Sequence, residues 1–207
     1  MSAGAKDKHV AERAVVICVC GMAGSGKSRL AKSVARVYGL RYFSGGDALK
    51  LLAIERGYRP SGRGWWEGPE GMRFLRERNA DPEFDRKVDA KLLAMAREGN
   101  VVLDSWTMPW LVKDGFNIWL EASSDVRAKR VAGRDGINPD EALKALVEKE
   151  NCTKAIYKKL YGFSLGVDLS PFDLVLDTNG LEAEEVFHAV CRVLDNVVFR
   201  SGQGRNR

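Results

Sequence analysis

Gly21-Met22-Ala23-Gly24-Ser25-Gly26-Lys27-Ser28 sets glycines, a lysine and a hydroxyl at the spacing G-x-x-x-x-G-K-[ST]. The chemistry this pattern suits is the binding of a nucleoside triphosphate. Glycines let the backbone curl so that successive N–H groups, and the N-terminus of a following helix, face the phosphates. Lys27 has the reach and charge for the β and γ phosphates, and the Ser28 hydroxyl can ligate Mg²⁺. Arg29, next in the chain, is counted with the loop as nucleotide-binding. A second candidate is Asp104, which ends the apolar run Val101-Val102-Leu103. A carboxylate at a strand's end lies in the crevice where open α/β sheets hold ligands, and there it can hold Mg²⁺ directly or through water.

Other chemistries lack their residues. The two histidines, His9 and His188, lie near opposite ends of the chain. A Ser-His-Asp arrangement, an H-E-x-x-H metal helix and a two-histidine iron site are therefore not available. Cys18, Cys20, Cys152 and Cys191 form no C-x-x-C pair, and reduced thiols in a cytoplasmic protein are expected.

The elements that must position the loop follow from periodicity. Val15–Cys20 is a β-branched apolar run, read as a strand, with Cys18 and Cys20 on one face. Leu30, Val34 and Val37 give Arg29–Tyr38 helical spacing. A second strand, Leu40–Phe43, leads into Ser44-Gly45-Gly46-Asp47 and a helix to about Arg56. Residues 57–71 hold five glycines, two prolines and Trp65-Trp66, so they read as an aromatic-bearing loop. Helices follow at about 68–78 and 82–98, split at Asp81-Pro82. Further strands are expected at Asn100–Asp104, Asn117–Leu120 and Phe172–Asp177. Helices are expected at Ser124 to about Arg134, Pro139–Tyr161 and Glu182–Val198. Strands alternating with helices specify a three-layer α/β/α fold around a five-stranded parallel sheet.

The 207 residues, 45% apolar and 29% charged, fit one soluble domain. Its span is read as 14–199, between tails at 1–13 and 200–207. The uncharged stretch Ala14–Gly26 is thirteen residues, short of the roughly 20 a membrane span requires. Of the net charge of +5, most resides in the tails, where Arg200, Arg205 and Arg207 end the chain. A nearly neutral body argues against a nucleic-acid groove.

The absence of an N-K-x-D loop sets the chain apart from GTPase switches. Ser44-Gly45-Gly46-Asp47-Ala48-Leu49-Lys50 instead resembles the strand-two S-x-G-[DE]-x-x-R segment of nucleoside monophosphate kinases, which holds the acceptor. Arg130-Val131-Ala132-Gly133-Arg134 is similar to the R-x-x-G-R that opens the lid of adenylate kinases. Val126-Arg127, Tyr157-Lys158-Lys159-Leu160-Tyr161-Gly162 and Ser170-Pro171-Phe172-Asp173-Leu174-Val175 resemble archaeal-type cytidylate kinases, and the likeness covers about residues 15–195. The resemblance implies an acceptor-binding lobe at about 44–98, a lid at about 130–160, and transfer of the ATP γ-phosphoryl to CMP or dCMP with Mg²⁺. It implies acceptor contacts from Ser44, Gly45, Asp47 and Lys50, and lid arginines in catalysis. Arg127, Arg130 and Arg134, at i, i+3 and i+7, are expected to present one basic face to the phosphates. Such a lid also excludes water. A monomer without membrane contact is expected.

Three positions depart from that family pattern. Lys50 replaces an arginine, a point charge where a bidentate fork belongs. Trp106 stands where an acceptor-phosphate arginine follows the third-strand acid, and Ile156 where an arginine precedes Tyr157. Arg59, Arg63 or Arg73 are candidates to compensate, Arg63 foremost, and Trp65, Trp66 and Trp106 offer surfaces for base stacking. Two other readings remain open at this level. One is a kinase of the same fold acting on dephospho-coenzyme A or a metabolite alcohol. The other is a nucleotide-regulated protein whose basic tails bind RNA or a protein partner.

Overall fold

The computed structural model describes residues 14–60 and 64–200. Arg63 and nearly all of both tails lie outside the described residues. Among those described, the strands are β1 (Val16–Gly21), β2 (Arg41–Ser44), β3 (Val101–Asp104), β4 (Phe116–Glu121) and β5 (Leu174–Asp177). They form one parallel sheet in the order β2-β3-β1-β4-β5. β1 is central and buried on both sides, which is why its sequence is uniformly apolar.

Alternation along β1 decides which layer each residue serves. Ile17 and Val19 face α1 (Lys27–Val37) and α8 (Ala183–Val197), packing on Leu30, Val34, Val190 and Leu194. Cys18 and Cys20 point to the other layer, as the sequence spacing requires, and burial pushes the Cys18 thiol up to about 12. That layer holds α2 (Gly45–Glu55), α3 (Pro69–Ala80), α4 (Glu83–Glu98) and a short α5 (Met108–Leu111). It is completed by α6 (Ser124–Asp135) and α7 (Pro139–Tyr161). The sequence reading lacked α5 and a 3-10 turn at Trp65–Glu67; both are single turns, too short to establish a period.

Local signals set the helix ends. Ser44, Ser123 and Asn138 each accept a backbone N–H at an N-terminus. α7 ends at Gly162, whose φ of 79° is left-handed. At 23 residues, α7 is about 34 Å long. That length carries it from its partner α6 across the Trp65–Glu67 turn and α3. None of the helices among the described residues is long and apolar enough to cross a membrane.

Candidate active site

The glycine-rich loop occupies the turn from β1 to α1. Gly21, Gly24 and Gly26 have φ of 146°, 84° and 95°, a region side chains rarely adopt. Space is the second constraint: a Cβ on Gly21 would lie 2.6 Å from Leu120 O, and one on Gly24 2.8 Å from Arg127 O. Ser25 Oγ is buried in this curl without a hydrogen-bond partner. Lys27 and the exposed Ser28 open α1 beside it. The exposed Arg29 and the loop residue Met22, whose side chain packs near Trp119 and Leu165, do not line the cleft that the loop opens onto.

That cleft, about 250 Å³, runs from Ala23, Gly24, Lys27 and Ser28 to the α2–α4 helices. Parallel register places Val19, Asp104 and Ser44 side by side, so the carboxylate reaches the cleft beside the loop. Asp104 is buried and accepts a hydrogen bond from Tyr42 Oη at 3.2 Å. Ser44, Gly45, Asp47 and Lys50 line the cleft, as does Trp106. Among the described residues, Lys27, Lys50 and Asp104 belong to no ion pair. Curled backbone, free lysine and unpaired carboxylate fit a triphosphate with a divalent cation. The described residues contain no group of three or more His, Cys, Asp or Glu side chains that could hold a metal, so a cation on Ser28 and Asp104 would need waters or substrate phosphate oxygens to complete its shell.

Trp106 is already engaged. Its indole Nε1 donates to Gly21 O at 2.5 Å, and Lys27 Nζ stands 5.3 Å from the ring centre. It buttresses the phosphate loop where an arginine was expected. Trp65 is core, packed on Tyr58 and Phe74. Trp66 borders the cleft under Lys149 Nζ, 5.3 Å from its ring.

The three α6 arginines do not act as one face. Arg127 is buried beneath the loop, ion-paired to Glu150 and donating to Ala23 O and Ala122 O at 3.0 Å. Arg130 donates to Thr178 O at 2.6 Å and to its Oγ1 at 3.1 Å. Only Arg134 lines the cleft, bonded to Asp135 and, at 3.3 Å, to Glu67. Arg127 and Arg134 share a helix face, but seven residues separate them by about 10 Å along the axis. The near one therefore underpins the loop while the far one reaches the cleft.

Of the proposed compensating arginines, Arg59 is exposed and absent from the cleft wall. Arg73 lies over Tyr58 on the outer side of α3, since the helix buries Gly71, Met72, Phe74, Leu75 and Arg78. Arg63 is not among the described residues. The structure brings in other cations instead. Lys149 of α7 is largely buried and bonds Glu67 at 2.9 Å. Burial pulls its pKa down, opposed by Glu67 and aided by Lys27 and Arg134. Arg78 of α3 forks onto Asp85 of α4 at 2.6 and 3.2 Å, both side chains 3% exposed.

Next to that pair, Asp89 accepts Thr107 Oγ1–H at 2.5 Å and Tyr161 Oη–H at 2.6 Å. Burial pushes the Asp89 carboxyl up to about 6, although both hydrogen bonds pull it down. Arg78, Asp85, Asp89, Thr107 and Tyr157 all line the cleft. Sequence reasoning missed them, though a signal was present. On α4 the buried stripe is Phe84, Asp85, Val88, Asp89 and Leu92, two acids at core-facing positions, and Arg78 breaks the corresponding stripe of α3.

A family model described as the cytidylate kinase-like family matches residues 16–180. The chain belongs to that family. The cytidylate kinase of Pyrococcus horikoshii is 36% identical over 184 residues, 88% of this chain and 90% of that protein. That of Methanocaldococcus jannaschii is 32% identical, covering 88% and 99%. Among solved structures, shikimate kinase from Acinetobacter baumannii is similar at a TM-score of 0.53 and 16% identity, covering 90% and 97%. An uncharacterised protein from Eubacterium ventriosum aligns at 0.56 and 17% identity, covering 87% and 98%. These structural likenesses concern the fold, that of the P-loop kinases; family membership comes from the sequence matches. The parallel sheet and flanking helices expected from the sequence are thus present.

Proposed function

We propose that this family member transfers the γ-phosphoryl group of ATP to CMP or dCMP. The observation that carries this reading is one cleft with two unlike ends. One end is a glycine cradle with an unpaired lysine; the other is a wall of buried polar side chains on α3 and α4. Relatives named cytidylate kinase over nearly the whole chain support the acceptor. In this reading 14–199 acts as one kinase domain, with 44–98 receiving the acceptor and 130–160 serving as the lid.

Phosphoryl transfer requires positioning and charge neutralisation rather than a covalent protein group. The loop N–H groups and Lys27 would hold the donor phosphates. Ser28 and Asp104 would hold Mg²⁺, which when bound neutralises charge on the phosphate oxygens. Ser44, Gly45, Asp47 and Lys50 would orient the acceptor. Arg134 and Lys149 approach from the lid, held at the cleft by Glu67, and α7 covers the site against water. Arg127 acts indirectly, by fixing the carbonyl side of the loop. Trp106 does the same from below.

The test is ADP release from ATP and Mg²⁺ with CMP, dCMP, UMP, AMP, GMP, dTMP and dephospho-coenzyme A. Turnover with CMP or dCMP well above the others is expected. ATP binding without turnover on any nucleotide would move the acceptor to the non-nucleotide alcohols.

A further inference from the structure

The cleft wall also holds a group of charges drawn from three separate elements. Glu67, in the 3-10 turn Trp65–Glu67, lines the cleft, yet its side chain is only 5% exposed. Each of its carboxylate oxygens meets a cation. Oε1 accepts a hydrogen bond from Lys149 Nζ of α7 at 2.9 Å, and Oε2 one from Arg134 Nη2 of α6 at 3.3 Å. The two cations depend on it unequally. Arg134 is half exposed and also forks onto Asp135 at 2.6 and 2.7 Å, so it keeps a carboxylate without Glu67. The Lys149 side chain is 12% exposed, and Glu67 is its ion-pair partner; among the described residues it has no other.

The turn that carries Glu67 is firmly placed. It packs so closely on α3 that a Cβ on Gly71 would lie 2.1 Å from Trp65 O. Trp65 Nε1 donates to Glu70 at 3.3 Å, and its ring packs on Phe74. Trp66 sets its ring under Lys149, with Nζ 5.3 Å from the ring centre, and the cation–π attraction adds to the ion pair. One short turn thus meets the same ammonium group with a carboxylate and an aromatic face. Burial favours the neutral form of an amine, and a neighbouring carboxylate favours the charged form. Both act on Lys149: burial pulls its pKa down, Glu67 opposes, and Lys27 of α1 and Arg134 of α6 add to the fall. Other charges on the elements around α7 are engaged with their own partners: Asp135 with Arg134, Arg127 with Glu150, Arg78 with Asp85 and Arg76 with Glu148.

Resting on the donor half of the reading above, with ATP in the glycine cradle, we infer that Glu67 is a positioning residue that presents the Lys149 ammonium group to the donor phosphates. Lys27 and Lys149 line one cleft and act on one another, so phosphates held by the first lie in the field of the second. Glu67 keeps Lys149 both placed and charged until the phosphates arrive. It also ties α7 to the connection between α2 and α3. A site that needs the protonated lysine loses ATP affinity as pH rises through the pKa of that lysine in the free protein. Glu67→Gln removes the group that opposes the fall in this pKa, so the loss of affinity begins at lower pH.

The experiment measures the Kd of Mg²⁺·ATP by tryptophan fluorescence from about pH 6 to about pH 10. The proteins compared are the parent, Glu67→Gln, Lys149→Arg and the double variant. In Glu67→Gln the weakening with rising pH is expected to begin about one unit or more below that of the parent. In the double variant, whose guanidinium stays charged throughout, this dependence should be lost. A residue that only shapes the fold would weaken binding equally at every pH. Parallel profiles for the parent and Glu67→Gln would overturn the inference, as would an early weakening that survives in the double variant. Should Glu67→Gln not fold, the parent and Lys149→Arg decide: an alkaline weakening confined to the parent supports the inference, and identical profiles refute it. A parent that binds no Mg²⁺·ATP overturns the donor reading itself, and the inference with it. Since no acceptor is present, the result is independent of which acceptor the kinase takes.

Discussion

The two ends of the cleft are built on different principles. The phosphate loop is backbone: three left-handed glycines within six residues, a helix N-terminus and one lysine, all contiguous in the chain. The opposite wall is side chain: Arg78, Asp85, Asp89, Thr107 and Tyr157, gathered from α3, α4, the turn after β3 and α7, with Tyr161 bonded to Asp89. A backbone cradle binds what all nucleoside triphosphates share. A side-chain wall can distinguish one acceptor from another, because donors and acceptors can be exchanged without altering the fold. The contrast teaches that backbone-built and side-chain-built surfaces share one cavity but differ in how locally they are encoded.

Removing the main charge of the first region has the largest expected effect. Lys27→Ala should lower kcat by about 10³–10⁴-fold with little change in melting temperature, since Lys27 is partly exposed and unpaired. Activity within tenfold of the parent would refute its assigned role. In the second region the cost falls on the fold. Arg78→Ala leaves Asp85 buried and alone and should cost about 3–5 kcal/mol of stability, read by urea denaturation. A change below 1 kcal/mol would show that the pair is not buried as described.

Asp89→Asn should do the reverse. The folded protein holds the Asp89 proton more tightly than the ordinary value of 3.8, at about 6. Stability from this group is therefore fullest below about pH 4 and declines as pH rises through 6. Asp85, Arg78, Tyr157 and Tyr161 are the titratable or charged groups that face it. At neutral pH the ionised carboxylate costs about 3 kcal/mol, and Asn should raise the melting temperature by about 2–4 °C per kcal/mol removed. An unchanged midpoint would mean the carboxylate is solvated. The smallest expected effect joins the two regions: Trp106→Phe keeps the ring beneath Lys27 but loses the bond to Gly21 O. It should cost about 1 kcal/mol and raise KM for ATP more than KM for the acceptor. The opposite order of KM changes would place Trp106 on the acceptor side.

Legibility in the sequence followed the same division. The order of strands and helices was readable because each rests on a local period and a local cap, as at Asn138-Pro139 and Gly162. So were the loop and Asp104, whose spacing is fixed by a single turn and a single strand. Arg127 was misjudged in direction, since helical spacing gives a face and not the depth at which that face lies. Arg73 was offered as a compensating cation in place of Arg78 because only packing against α4 and α7 distinguishes them.

What the sequence determined alone is therefore the glycine-rich curl after β1 and the parallel α/β scaffold, both products of short-range backbone preference and apolar periodicity. The tertiary structure decided which charges face the cleft. It converted Arg127 into a support, turned Trp106 under the loop, and drew Lys149 and Glu67 together from 82 residues apart. Those outcomes depend on desolvation and on partners distant in the chain, which no local spacing encodes.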